Sequence, residues 1–146
     1  MALSVKLQTS SQTGQPLHWK EGKIFKVLFI VTPTNVNSPG NANPYVAGGD
    51  TLDLTQLFNL LSSAPGLSLP TFELPVKIEI QSIRNAPGAA NIFEYGYCPG
   101  TTLANGTMQV ITGAAAQTAL TELAAGNYPA GVLNDTIQAE AYFFVP

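Results

Sequence analysis

Acid–base or nucleophilic catalysis needs a group that titrates near neutral pH, or a nucleophile with a base beside it. This chain has one histidine, His18, and one cysteine, Cys98, in 146 residues. His18 stands beside Trp19 in a polar N-terminal stretch. Cys98 closes an aromatic run before Pro99, where a small buried thiol is the ordinary reading. A zinc site asks for about four Cys or His ligands, and two in total cannot supply them. The best oxygen cluster for calcium is Asp50-Thr51-Leu52-Asp53 after Gly48-Gly49, and its spacing resembles no EF-hand loop. A turn at the two glycines explains it better, with Asp50 bonding local backbone before a strand begins. A glycosidase-like carboxylate pair would have to come from Glu73, Glu79, Glu94, Glu122 or Glu140. Glu79, Glu94 and Glu140 alternate with apolar neighbours, as solvent-facing or interface-facing strand positions do. Asn105-Gly106-Thr107 and Asn134-Asp135-Thr136 match the glycosylation acceptor pattern, but with no visible signal peptide they read as turns. The Gly-rich pieces hold no phosphate-binding loop. The expectation is a protein that is not an enzyme, with no catalytic, cofactor-binding or metal-binding residue.

The elements that would position any site are strands. Charged residues make up only 10% of the chain and apolar ones 45%, with Gly and Pro as frequent punctuation. That balance suits short strands joined by turns rather than a helical bundle. Leu3, Val5 and Leu7 alternate with polar neighbours, and Ile24 to Thr32 is apolar on both faces at its centre. Short strands follow at Thr51 to Leu54, Val76 to Gln81, Ile92 to Tyr97 and Thr107 to Thr112, then Asp135 to Val145. Thr55 to Leu61 reads as one or two helical turns capped by Thr55. Asn105-Gly106 before a strand signals a hairpin. Gly113 to Gly126 fits a short helix or an irregular strand about equally. Irregular pieces are expected at 33–49, 64–70 and 85–90, and residues 9–22 read as a polar loop or arm. The chain, residues 1–146, is expected to form a single all-β domain: an antiparallel, jelly-roll-like β-sandwich of about seven or eight strands, with one or two short helices.

Composition also limits partners. A net charge of -3 with six basic residues cannot build the cationic stripe that phosphate neutralisation requires. No apolar run approaches the roughly 20 residues of a membrane-spanning helix. A single cysteine points to synthesis in a reducing compartment. Tyr142-Phe143-Phe144 must place rings on both faces of one strand, and only one face can be core. Interfaces are rich in aromatics and poor in charge, so outer surface is expected to be buried in an assembly. The candidate partner-contact residues are His18, Trp19, Tyr45, Tyr128 and Tyr142.

From Gly48 onward the order of motifs resembles small tailed-bacteriophage virion proteins of the head decoration, or capsid cement, type. The resemblance is carried by Gly48-Gly49-Asp50-Thr51-Leu52-Asp53-Leu54, Phe93-Glu94-Tyr95 and Gly100-Thr101-Thr102-Leu103-Ala104-Asn105-Gly106-Thr107-Met108-Gln109-Val110. It continues through Glu122-Leu123-Ala124-Ala125-Gly126-Asn127-Tyr128-Pro129 and Asp135-Thr136-Ile137, while residues 1–47 match nothing in it. It implies synthesis in the host cytoplasm and a place on the capsid surface. It also implies a homo-oligomer, a trimer in many such proteins, that bridges major capsid protein subunits and stabilises the mature head by mass action. Removal of residues 1–22 is then expected to abolish particle binding without unfolding the domain. The alternative is a carbohydrate- or receptor-binding module of a phage tail, fibre or capsid surface, using exposed aromatics such as Trp19, Tyr45 or Tyr128.

Overall fold

The computed structural model describes residues 3–13, 16–34, 45–62, 74–83, 91–114 and 119–144. In chain order the elements are β1 (Leu3–Leu7), β2 (His18–Glu21), β3 (Ile24–Pro33), β4 (Asp50–Leu52), α1 (Thr55–Ser62) and β5 (Lys77–Ser82). They continue with β6 (Asn91–Cys98), β7 (Gly106–Ala114), β8 (Thr121–Glu122), α2 (Ala130–Leu133) and β9 (Ile137–Phe144). One antiparallel sheet runs β1-β3-β9-β5, with β2 also on β3; the other runs β4-β7-β6, with β8 also on β7. The expected all-β sandwich is what forms. The expected irregular pieces at 64–70 and 85–90, and 35–44 of the first, lie outside the described residues.

The core lies between the sheets, where alternation aims one face of each strand inward. From the first sheet come Val27, Phe29, Val31, Ile137, Ala139, Ala141 and Phe143; from the second come Leu52, Met108 and Val110. Leu57 and Leu61 of α1 join them, one turn apart on a single helix face. The helix begins on a cap supplied by Asp53 rather than by Thr55. Asp53 Oδ1 accepts from the Thr55 backbone N–H at 2.9 Å and from the Thr55 hydroxyl at 2.6 Å.

The reading of 9–22 as a loop or arm needs correction. His18–Glu21 is a strand paired with β3, and β1 pairs with the same strand further along. Between them the Gln8 N–H donates to Leu28 O, the Leu28 N–H to Leu17 O and the Leu17 N–H to Gln8 O. An edge strand needs only backbone pairing, so the polar side chains at 18–21 are no obstacle. Thr9 and Pro16 meet in an isolated antiparallel bridge. Leu3 and Leu7 are core residues, so removing 1–22 would strip two strands and unfold what it was expected to spare.

Two further differences have local causes. The helix alternative for 113–126 fails in its described part, because Thr121–Glu122 pairs with Ile111 and Thr112 of β7 and the Leu123 N–H donates to Val110 O. The hairpin marked by Asn105-Gly106 does form, with Cys98 opposite Thr107, but Asn-Gly is not its two-residue turn. Asn105 instead folds its side chain back, accepting from the Thr102 N–H at 2.8 Å and donating to Thr101 Oγ1 at 3.0 Å.

The Gly48-Gly49 turn is required by geometry. Gly49 has φ +97°, and a Cβ there would lie 2.8 Å from Met108 O. Positive φ and backbone contact both count against alanine. Gly49→Ala is expected to lower the unfolding free energy by about 1–2 kcal/mol, measured by urea denaturation.

Candidate functional site

The five candidate contact residues occupy three different environments. Tyr45 and Tyr128 are in the core, at 0% and 2% exposure, so the expectation that they stand on the surface is corrected. A tyrosine can be buried if its hydroxyl finds a partner, and both do. Tyr128 donates to Asp50 Oδ2 at 2.5 Å, while the Val46 N–H donates to Asp50 Oδ1 at 3.1 Å. Tyr45 donates to Glu122 Oε1 at 2.8 Å and accepts from the Val110 N–H at 3.2 Å. The two rings meet edge to face with centroids 5.4 Å apart. Glu122 also accepts from the Gly48 N–H at 2.6 Å. These bonds tie 45–50 to 122–128, and burial leaves Tyr45 and Tyr128 no free ring face for a ligand.

Burial sets the electrostatics of this latch. It raises the Asp50 carboxyl against the pull of the Tyr128 hydroxyl and the Val46 amide. It pushes the Tyr45 phenol up to about 12, with Glu122 adding to the rise. Tyr128 and Tyr95 rise as well, through burial and the carboxylates they donate to, Asp50 and Asp135. A raised phenol favours the folded state below its unfolded pKa of roughly 10, and that contribution is lost as pH climbs through the folded value. For Tyr45 the window runs from the ordinary phenol value, roughly 10, to about 12. Ultraviolet titration is therefore expected to show Tyr45, Tyr95 and Tyr128 ionising only as the protein unfolds in alkali. Phenolate absorbance from all five tyrosines in a still-folded chain would contradict this.

His18 lies on β2, its Nδ1 2.9 Å from Pro16 O and its ring stacked on Phe25 with centroids 5.6 Å apart. Trp19 is opposite Lys26 in the β2–β3 ladder. The ladders place Trp19 in the same cross-strand row as Tyr142, with Lys26 between them, while His18 is opposite Val27.

Tyr142 is the expected contact residue that faces outward. On the outer face of the five-stranded sheet it stands between Lys26 of β3 and Lys77 of β5, its partners in the two ladders. The lysine Nζ atoms lie 5.1 and 5.9 Å from its ring centroid. One row along, Glu140 pairs with Glu79. Lys26 reaches Glu140 Oε2 at 2.5 Å and Lys77 reaches Glu79 Oε1 at 2.6 Å. The Tyr142 hydroxyl lies 2.9 Å from Glu140 Oε2 and 3.2 Å from Glu79 Oε2. Glu140 holds the Lys26 ammonium above its ordinary value, and Lys77 holds the Glu79 carboxyl below its own. Two cations and two anions thus close a neutral patch around one phenol. Phe144, next on the same face, is 54% exposed.

Between the edges of β5 and β6 runs a groove of about 510 Å3, lined by Ile78, Ile80, Tyr95, Tyr97 and Glu79 among others. Among the described residues β5 pairs in the ladders with β9 and β6 with β7, so the groove is a seam between two sheet edges. At one end Ser82 Oγ and Tyr95 Oη both donate to Asp135, at 2.8 and 2.7 Å. Among the described residues no three His, Cys, Asp or Glu side chains group to hold a metal ion, and no helix is long and apolar enough to cross a membrane.

The signal that finds the Lys–Tyr–Lys row is register, which no single stretch of sequence carries. Comparison of the chain with protein-family profiles, with curated proteins and with solved structures finds no match.

Proposed function

We propose that this chain is a structural virion protein, of the capsid decoration type, that binds major capsid protein subunits and stabilises the mature head. The observation that carries the reading is the outer face of the five-stranded sheet. Its charges cancel in place around Tyr142, and a half-exposed Phe144 stands beside them. Aromatic residues are enriched at interfaces, and lysines already paired with Glu140 and Glu79 bring no unpaired charge into one. The resemblance of 48–137 to head decoration proteins supports the virion setting. The ionisable groups described above serve packing and pairing, which supports a role without catalysis. Many weak contacts acting together on a lattice would then stabilise the shell.

The glycan-binding alternative is supported less. Tyr45 and Tyr128 are buried, and an ammonium group lies near the Tyr142 ring from each neighbouring strand, where a sugar would need an open aromatic face.

Quantitative mass spectrometry of particles made by the genome encoding this chain tests the proposal. A copy ratio to the major shell protein near one, or a simple lattice fraction of it, is expected. A handful of copies per particle would favour the adhesin alternative, and absence from particles would overturn the virion reading.

A further inference from the structure

We infer that the outer face of the five-stranded sheet is a self-complementary contact surface for a second copy of this chain. The two copies are related by a two-fold axis between the Lys26–Tyr142–Lys77 row and the neighbouring Glu140–Glu79 row. The proposed function gives this same face to the shell; in the purified chain, with no shell present, the second copy covers it, and the inference does not rest on the virion reading.

The argument starts from the ladders. Lys26, Tyr142 and Lys77 form one row, which Trp19 of β2 continues beyond Lys26, and Leu28, Glu140 and Glu79 form the next. Rows on one face are two residues apart, about 7 Å along the strands. When two identical faces meet, the two-fold axis must lie in the plane of contact. An axis running across the strands exchanges the two rows and keeps the order of strands. Lys77 then faces Glu79 of the second copy, Glu79 faces its Lys77, Tyr142 faces its Glu140, and Lys26 faces its Leu28. Every charge of β5 meets the opposite sign, twice over by symmetry.

The flanking rows fit the same operation. Glu21, Ile24 and Phe144 make the row beyond the lysines, while Lys6, Ile30, Gln138 and Gln81 make the row beyond the glutamates. Exchange of these rows sets the exposed Phe144 against Gln138 of the second copy, with Ile24 against its Ile30. A surface with cationic and anionic rows side by side is matched by one carrying the opposite row order, which the same face turned over provides. A cyclic trimer is built from head-to-tail contacts and does not pair a face with itself, so this surface defines a dimer contact.

The test is sedimentation velocity of the full chain over a range of concentrations, with Lys77→Glu, Glu79→Lys and the double exchange. Both side chains are about half exposed, at 59% and 49%, and thermal melts verify that the variants fold. The wild type is expected to dimerise. Each single variant sets like charges together and is expected to weaken self-association by about 10-fold or more at low salt. The double exchange restores opposite signs and is expected to recover dimerisation. Phe144→Ser, which leaves the charges alone, is expected to weaken it too. A wild-type monomer at every concentration, a trimer, single variants that dimerise normally, or a double exchange no better than the singles would each overturn the inference.

Discussion

Phe143→Ala is expected to remove about 3–5 kcal/mol of unfolding free energy, the range for deleting a fully buried aromatic ring. Phe143 is 0% exposed. It pairs with Phe25 across the β3–β9 ladder and meets the ring of Phe58 on α1 edge to face, with centroids 5.3 Å apart. Alanine would therefore open a cavity between sheet and helix, and the well-packed surroundings can close it only in part. Urea denaturation measures the loss as a lower midpoint at unchanged slope. The neighbouring Phe144→Ala, studied at high dilution, is expected to cost under about 1 kcal/mol because the ring is half in water. The contrast tests register directly, since a one-residue slip exchanges the two faces of the strand. Similar losses at both positions would contradict the β9 alignment.

That contrast is also the clearest instance of what sequence alone could convey. In β9 the alternation of Ile137, Ala139, Ala141 and Phe143 with polar partners already marked one face as core, and those four residues are all buried. β3 was equally legible. Val27, Phe29 and Val31 line the core, and Leu28 on the opposite face is only 7% exposed, as a run apolar on both sides requires. Three short elements were not legible, although the three-residue β4 was marked by the Gly48-Gly49 turn before it. β2, β8 and α2 cover four, two and four residues, too few for either periodicity to emerge. Their existence is decided by the strand edge or cavity each one meets.

The candidate site divides the same way. That Tyr142 and Phe143 point to opposite faces follows from period two alone. That Tyr142 stands between two lysines depends on β3 and β5 coming to either side of β9, and Lys26 and Lys77 are far from it in sequence. Tyr45 and Tyr128 misled because their neighbourhoods are rich in Gly, Asn and Pro, the composition of surface turns. Their burial rests on carboxylates 77 and 78 positions away, Glu122 and Asp50. No local pattern announces a partner at that separation.

The Asp50–Tyr128 bond gives the second large expected effect. Asp50 is 6% exposed, and an ionised carboxylate there depends on its donors because water cannot replace them. Tyr128→Phe deletes the hydroxyl at 2.5 Å while keeping the ring and its edge contact with Tyr45. A hydrogen bond to a charged group is worth roughly 1.5–3 kcal/mol, so a loss of about 2–3 kcal/mol is expected at pH 7. The pH dependence follows from the raised Asp50 carboxyl. A carboxyl raised by folding stabilises the native state when protonated, fully so below its unfolded pKa, and this contribution disappears as pH rises through the folded value. Removing the donor raises that carboxyl further, so the variant pays most where Asp50 is charged. The difference between variant and wild type should therefore narrow to about 1 kcal/mol near pH 3, where only a neutral hydrogen bond is lost. Paired urea titrations at the two pH values measure both numbers, and background titration common to the two proteins cancels. An equal difference at both would mean that Tyr128 supports the latch by ring packing and that its hydroxyl does not stabilise the Asp50 charge.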